Sequence, residues 1–359
     1  MVLGVMVFAC LAVAPAANAD DSEASEPDVF AYYYIWFDPT SWQRAKSDLP
    51  LLGNYSSDES RVMRRHIELA QAAGVDGFVV SWKHTPKLDR RLARLLDLAQ
   101  QYDFEIAIMY QGLDFEREPL PAARVATDLD HLVRRFGSHP ALHRTGARIV
   151  VAWSGTWRFS LEEIRATTVP RRDALAVLAT ERTAEDYARL AEVVDGDAYY
   201  WSSANPETFP GYEEKLALMG SEIRRTGGLW WAPAAPGFDA RLVGGRSVVE
   251  REGGETLRRQ WNAASSSHPD VVALISWNEF SENTHLEPST RFGNRYLDVI
   301  ADLTHTTSPR GELDSDSPGG TRPERRAVIA IAGLLAVTSL SIARVRRRQR
   351  TTPFVEAEG

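Results

Sequence analysis

The feature that most constrains this chain is an alternation, repeated from end to end, of short apolar runs with amphipathic helical stripes. Aromatic-rich runs occur at Val29–Phe37, Gly77–Trp82, Glu105–Gln111, Arg148–Trp153, Ala174–Thr180, Ala198–Ser202, Leu229–Ala235 and Val271–Trp277. Runs this short and this continuous suit strands covered on both faces, as in a parallel sheet. Between them, Ser56-Ser57-Asp58-Glu59 offers a capping box, after which Met63, Ile67, Ala70 and Ala73 recur at helical spacing. Similar stripes lie at Leu88–Tyr102, Ala122–Phe136, Ala184–Val194, Tyr212–Arg225 and Thr256–Ser265, with a short one near Leu161–Ala166 and an eighth at Arg295–Leu303. Eight such units predict an α/β fold, a single (β/α)8 TIM barrel over residues 28–304. No Gly-rich phosphate loop follows the first strand, which argues against a dinucleotide fold.

The flanks read differently. Residues 1–19 hold an apolar run and the small-residue site Ala17-Asn18-Ala19, the pattern of a signal peptide, without its usual basic start. The single cysteine, Cys10, lies inside it, so the processed chain is expected to have neither a disulfide nor a thiol nucleophile. Residues 20–27 are polar and read as a flexible N-terminus. Residues 305–326, rich in Ser, Pro, Gly and charge, read as a disordered linker. Residues 327–343 are uncharged and apolar between arginine clusters, and are expected to be a transmembrane helix with 344–359 as a cytoplasmic basic tail. These segments imply a single-pass protein of the cell membrane with its barrel outside. The net charge of −8 speaks against a nucleic-acid partner, which favours a basic face.

In a barrel the chemistry gathers at the C-terminal ends of the strands. The stretch closing the eighth strand, Ile275–Ser289, packs Asn278, Glu279, Glu282, His285 and Glu287 together. If the chain turns helical after Trp277, Glu279 and Glu282 stand one turn apart on one face. Paired carboxyls, one protonated and one ionised, are the usual means of cleaving a glycosidic bond. A metal held by Glu282, His285 and Glu287 lacks further ligands at fixed spacing. Acid–base chemistry at a glycosidic bond needs no metal or organic cofactor, and none is implied.

The NEFSENTHLEP segment at 278–288 is similar to the NEWHEGTQIEP motif that ends the barrel in the endo-α-mannosidase and endo-α-mannanase glycoside hydrolases, family 99. AYYYIWF at 31–37, the stretch at 54–82 and APAAPGFDARLV at 232–243 resemble the same family in the same order. The resemblance implies retaining hydrolysis assisted by the substrate. Glu279 would act as base on the 2-hydroxyl of mannose, giving a 1,2-anhydro sugar, and Glu282 as acid and then base. It also implies an α-mannan-like polysaccharide or oligosaccharide as partner, with Trp82 lining the sugar site and Asp239 in a substrate-facing loop.

Other candidate substrate contacts are Tyr33, Tyr34, His84, Tyr199, Tyr200, Asn278, His285 and Glu287. The tyrosines could equally be barrel packing. Three departures put the substrate in question: Gln111 where the family carries a glutamate (HxEPY), AWSGTW in the fourth strand, and Ser281 in place of the motif's histidine. Two other readings stay open, a hydrolase of another α-glycan using the same carboxyls and a non-catalytic polysaccharide-binding barrel.

Overall fold

The computed structural model describes residues 26–306. The expected signal peptide, apolar segment and basic tail, and the expected linker beyond Thr306, lie outside the described residues, and among the described residues no helix is long and apolar enough to cross a membrane.

The elements follow in order: β1 (Asp28–Tyr34), α1 (Ser60–Ala72), β2 (Gly77–Trp82), α2 (Pro86–Gln101), β3 (Glu105–Gln111), α3 (Ala122–Phe136), β4 (Arg148–Ser154), α4 (Leu161–Thr168), β5 (Leu175–Ala179), α5 (Ala184–Ala188), β6 (Gly196–Ala198), α6 (Tyr212–Arg225), β7 (Leu229–Ala234), α7 (Glu255–Ser266), β8 (Val271–Leu274) and α8 (Arg295–Leu303). Each strand pairs in parallel with its sequence neighbours, β1 with β8 closes the ring, and a two-residue strand at Arg144–Thr145 adds an antiparallel edge to β4. The sheet therefore has no open barrel edge, as the alternation predicted.

Strand periodicity sorts the side chains into two cores. Phe30, Tyr32, Val79, Ala107, Met109, Val150, Ala152, Ala176, Leu178, Trp231, Ala273 and Ile275 fill the barrel. Their neighbours, among them Val29, Ala31, Tyr33, Phe78, Val80 and Trp82, pack outward against the amphipathic helices. Each fully buried aliphatic or phenyl side chain contributes about 1.5–3 kcal/mol by leaving water.

Several boundaries differ from the sequence reading. β1 stops at Tyr34 rather than Phe37, because the chain then enters a long loop whose Phe37, Trp42 and Tyr55 pack with Phe280. α1 starts at Ser60, and the capping motif forms a turn just ahead of it, with Ser56 N–H donating to Glu59 Oε1 at 2.8 Å. β6 runs over Gly196–Ala198, not Ala198–Ser202, and is registered by Asp197, whose carboxylate accepts the Glu181 N–H at 2.7 Å. α5 ends at Ala188, since Leu190, Val193 and Val194 close tight turns in place of a further helical ladder. β8 ends at Leu274, although Ile275 N–H still bonds Ala234 O and Trp277 N–H bonds Tyr32 O.

Candidate active site

The loop after β8 is not the helix that the spacing of its acids suggested. It folds back on itself: Ser276 N–H donates to Thr284 O, and Leu286 N–H to Ser276 O, each at 2.9 Å. Glu279 thus stands just ahead of a turn through Phe280–Asn283, and Glu282 lies within it. Asn278, expected to touch sugar, is fully buried and clamps this loop to β1. Its Oδ1 accepts the Tyr34 N–H at 2.9 Å, and its Nδ2 donates to Tyr34 O at 3.0 Å. An amide side chain paired with both polar groups of one residue fixes the loop as a further strand would.

That clamp brings both carboxyls to the mouth. Tyr34 Oη and Tyr200 Oη lie 2.6 Å apart, and both phenols feel the charges of Glu279 and Glu282. The Glu279 pKa is raised, chiefly by burial, while the Ser281 N–H at 2.8 Å from its Oε1 and the charge of Lys46 work the other way. The Glu282 pKa is raised to about 7, first by burial and then by the negative charge of Glu279. The two acids are therefore unequal. Glu279 has a backbone donor and a nearby ammonium to support its charge, whereas Glu282 holds its proton near neutral pH.

The remaining candidates divide sharply. Gln111 reaches the barrel interior, where its Nε2 donates to Ser81 Oγ at 3.0 Å. Asp239 lies beside the pair, its backbone N–H donating to Glu282 O at 2.8 Å, but its carboxylate is held by Arg241. Arg241 keeps the Asp239 pKa low.

Trp82, Tyr33 and Tyr199 point away from the mouth into the layer between strands and helices. The Trp82 indole N–H donates to Asp89 Oδ1 at 3.1 Å, Tyr33 Oη meets His66 Nδ1 at 2.9 Å, and Tyr199 Oη accepts from Lys215 at 2.8 Å. Strand alternation forces this, because Tyr34 and Ser81 occupy the inward positions next to Tyr33 and Trp82. His84 bonds Asp89 on the α2 side.

His285 and Glu287, also expected to contact substrate, are buried behind the loop. His285 Nε2 sits 3.2 Å from Asp48 Oδ2, and burial pushes its pKa down to about 3. Glu287 accepts from Tyr55 Oη at 2.8 Å and lies 3.0 Å from His66 Nε2.

Three groups near the mouth escaped the sequence reading. Trp36 stacks on Tyr34 at 4.4 Å between ring centroids and is 43% exposed, leaving an aromatic face on which sugar C–H groups can lie. Arg182 bridges Trp157 and Trp201, its guanidinium carbon 4.4 and 5.4 Å from their ring centroids. Lys46 lends its charge to Glu279. Trp36 stood in the AYYYIWF run and Trp157 in AWSGTW, so their type was visible, but Lys46 had no motif to mark it.

A closed parallel barrel with a carboxyl pair, one buried and one half-buried, in the loop after its last strand has the build of a glycoside hydrolase. More narrowly, the chain belongs to glycosyl hydrolase family 99, whose model matches residues 43–301. It is similar to a glycoprotein endo-alpha-1,2-mannosidase-like protein of Danio rerio, 24% identical over 284 residues that cover 71% of this chain and 62% of the relative. A mutanase of Penicillium rubens is 23% identical over 290 residues, covering 77% of this chain and 57% of that protein. The chain thus spans about three fifths of the length of these curated relatives. Among solved structures, the GH99 endo-alpha-mannosidase from Bacteroides thetaiotaomicron superposes with a TM-score of 0.67 at 17% identity, covering 78% of this chain and 98% of that one. At that identity the likeness speaks for the fold.

Proposed function

We infer that this barrel is an endo-acting, retaining α-mannoside hydrolase that uses its substrate's own 2-hydroxyl as nucleophile. The observation that carries this reading is the placing of Glu279 and Glu282 in one folded-back loop at the mouth in unlike surroundings, Glu279 accepting the Ser281 N–H at 2.8 Å with Lys46 nearby, and Glu282 raised to about 7 by burial and by Glu279. Glu279 takes the proton from the 2-hydroxyl. That oxygen bonds to the anomeric carbon as the bond to the leaving oxygen breaks, and Glu282 gives the leaving oxygen its proton. Water then attacks the anomeric carbon of the 1,2-anhydro sugar as that carbon's bond to the 2-oxygen breaks, the water losing a proton to Glu282 while the freed 2-oxygen regains one from Glu279. Two inversions at one carbon leave net retention.

A second reading, hydrolysis of another α-glycan with the same acids, has specific support. Gln111 lines the barrel as an amide where the family carries a carboxylate, and the mutanase likeness lies outside the mannosidase names. A panel of α-mannans and α-glucans tests the choice. Release of internal fragments from an α-mannan alone is the expected result, and cleavage of α-glucans alone would replace the first reading with the second.

The apolar stretch at 327–343 and its arginine flanks support placing the barrel on the outer cell surface behind a C-terminal anchor. Protease treatment of intact cells is expected to remove the barrel. A barrel protected until the cells are broken would contradict that placement.

A further inference from the structure

Away from the mouth, the loop after β2 and helices α2 and α3 gather three ligand-type side chains. His84 Nδ1 lies 2.8 Å from Asp89 Oδ2, and His131 Nε2 lies 2.7 Å from the same oxygen. All three donor atoms fall within 4.8 Å of one another, and the two imidazoles stack at 3.8 Å between centroids. We propose that His84, Asp89 and His131 form a binding site for a zinc-type divalent cation, distinct from the carboxyl pair.

The donor set is right for such an ion. Zn²⁺ takes imidazole nitrogen at about 2.0–2.1 Å and carboxylate oxygen at about 2.0–2.2 Å, usually in a tetrahedron. Those lengths put ligand atoms roughly 3.3 Å apart, so the present hydrogen-bonded atoms need to part by only about half an ångström. The three side chains are 33%, 15% and 24% exposed, so water can supply the fourth ligand.

The surroundings hold the ligands in place, as outer-shell partners of metal sites do. Trp82, fully buried, donates its indole N–H to the other oxygen of Asp89 at 3.1 Å. Asp128 accepts the backbone N–H of His84 at 3.3 Å, and Arg124 donates to His84 O at 2.9 Å. The charge of Arg124 is met by Asp128 at 2.7 Å. Arg90, Arg94 and Arg135, which share a shallow hollow with Asp89 and Asp97, oppose a cation and limit its affinity. The site would join the β2 loop to two helices, linking bound metal to barrel stability rather than to the reaction.

Titration of the untagged full chain with Zn²⁺ by calorimetry, after EDTA treatment and dialysis, tests this directly. One ion per chain is expected, with a dissociation constant on the order of micromolar and a rise in Tm. Asp89→Asn and His131→Ala are each expected to weaken binding at least about tenfold. His84→Ala, on the loop, serves if either helix variant fails to melt cooperatively without zinc. No binding by the wild type, or equal binding by wild type and all folded variants, would overturn the proposal.

Discussion

Glu282→Gln is expected to lower kcat on the cleaved glycan by about 10²–10⁴-fold, the usual worth of a positioned acid–base group, with little change in KM. The amide keeps the shape of the side chain and loses only its proton. In the wild type, activity should fall as pH rises through about 7, where Glu282 surrenders the proton its leaving group needs. The variant's small residual rate should lack that alkaline limb.

The same substitution should act on stability with the opposite sign. The folded pKa of Glu282 stands above the 4.5 of an exposed glutamate, so the folded state binds the proton more tightly than the unfolded chain. That contribution is complete below pH 4.5 and is lost as pH rises through about 7. At pH 8 the wild type therefore carries a cost of up to about 3 kcal/mol, reduced by whatever water at the mouth screens. Thermal melting at pH 8 should show Glu282→Gln more stable than wild type, and at pH 4 the two should converge. A variant less stable at pH 8 would mean that Glu282 has a buried ionic partner and is not the acid.

Glu287→Ala should produce the largest loss of stability. Tyr55 and His66 both direct buried polar atoms at this carboxylate, and Tyr33 extends the chain through His66. Removing the carboxylate strands the Tyr55 hydroxyl without water and takes away the group 3.0 Å from His66 Nε2, for a total of roughly 3–5 kcal/mol. A domain of this size loses about 2–4 °C of Tm per kcal/mol, so a fall near 10 °C is expected. Had Glu287 touched sugar, as its place in the motif suggested, the variant would melt like wild type and fail only in activity. Differential scanning calorimetry beside an activity assay separates the two roles.

This pair of glutamates shows where the sequence was legible. The barrel could be read because its signal is local: every strand and helix carries its own periodicity, and helices α3, α6 and α8 begin and end where the stripes do. The carboxyl pair could be read because both acids sit in one loop after one strand. What stayed hidden was which side of a nearly apolar strand faces in. GFVVSW gives no polar–apolar alternation to fix its register, so Trp82 looked like a sugar contact when only Ser81 marks the inward face. Tyr32, Tyr33 and Tyr34 pose the same puzzle, three phenols in a row of which the middle one faces the helices. Nor could the sequence tell His285 and Glu287 from catalytic neighbours. Their partners Asp48, Tyr55 and His66 lie more than 200 positions away and meet them only in the folded chain.

The turn through Phe280–Asn283 matters for the same reason. A helix would have placed Glu279 and Glu282 by its own geometry. Instead, Asn278 ties the loop to Tyr34, and the two acids are aimed by contacts between the first and last strands of the barrel. The site is thus a property of ring closure, the step in which β8 meets β1.

The most direct test follows the anomeric proton by NMR during the first minutes of hydrolysis of an α-linked mannan by the full chain. The first sugar released should carry the α configuration of the bond that was cut, with the β form arising later by mutarotation. A β product at the outset would mean a single displacement by water, and would contradict both the 1,2-anhydro sugar and the roles given to Glu279 and Glu282.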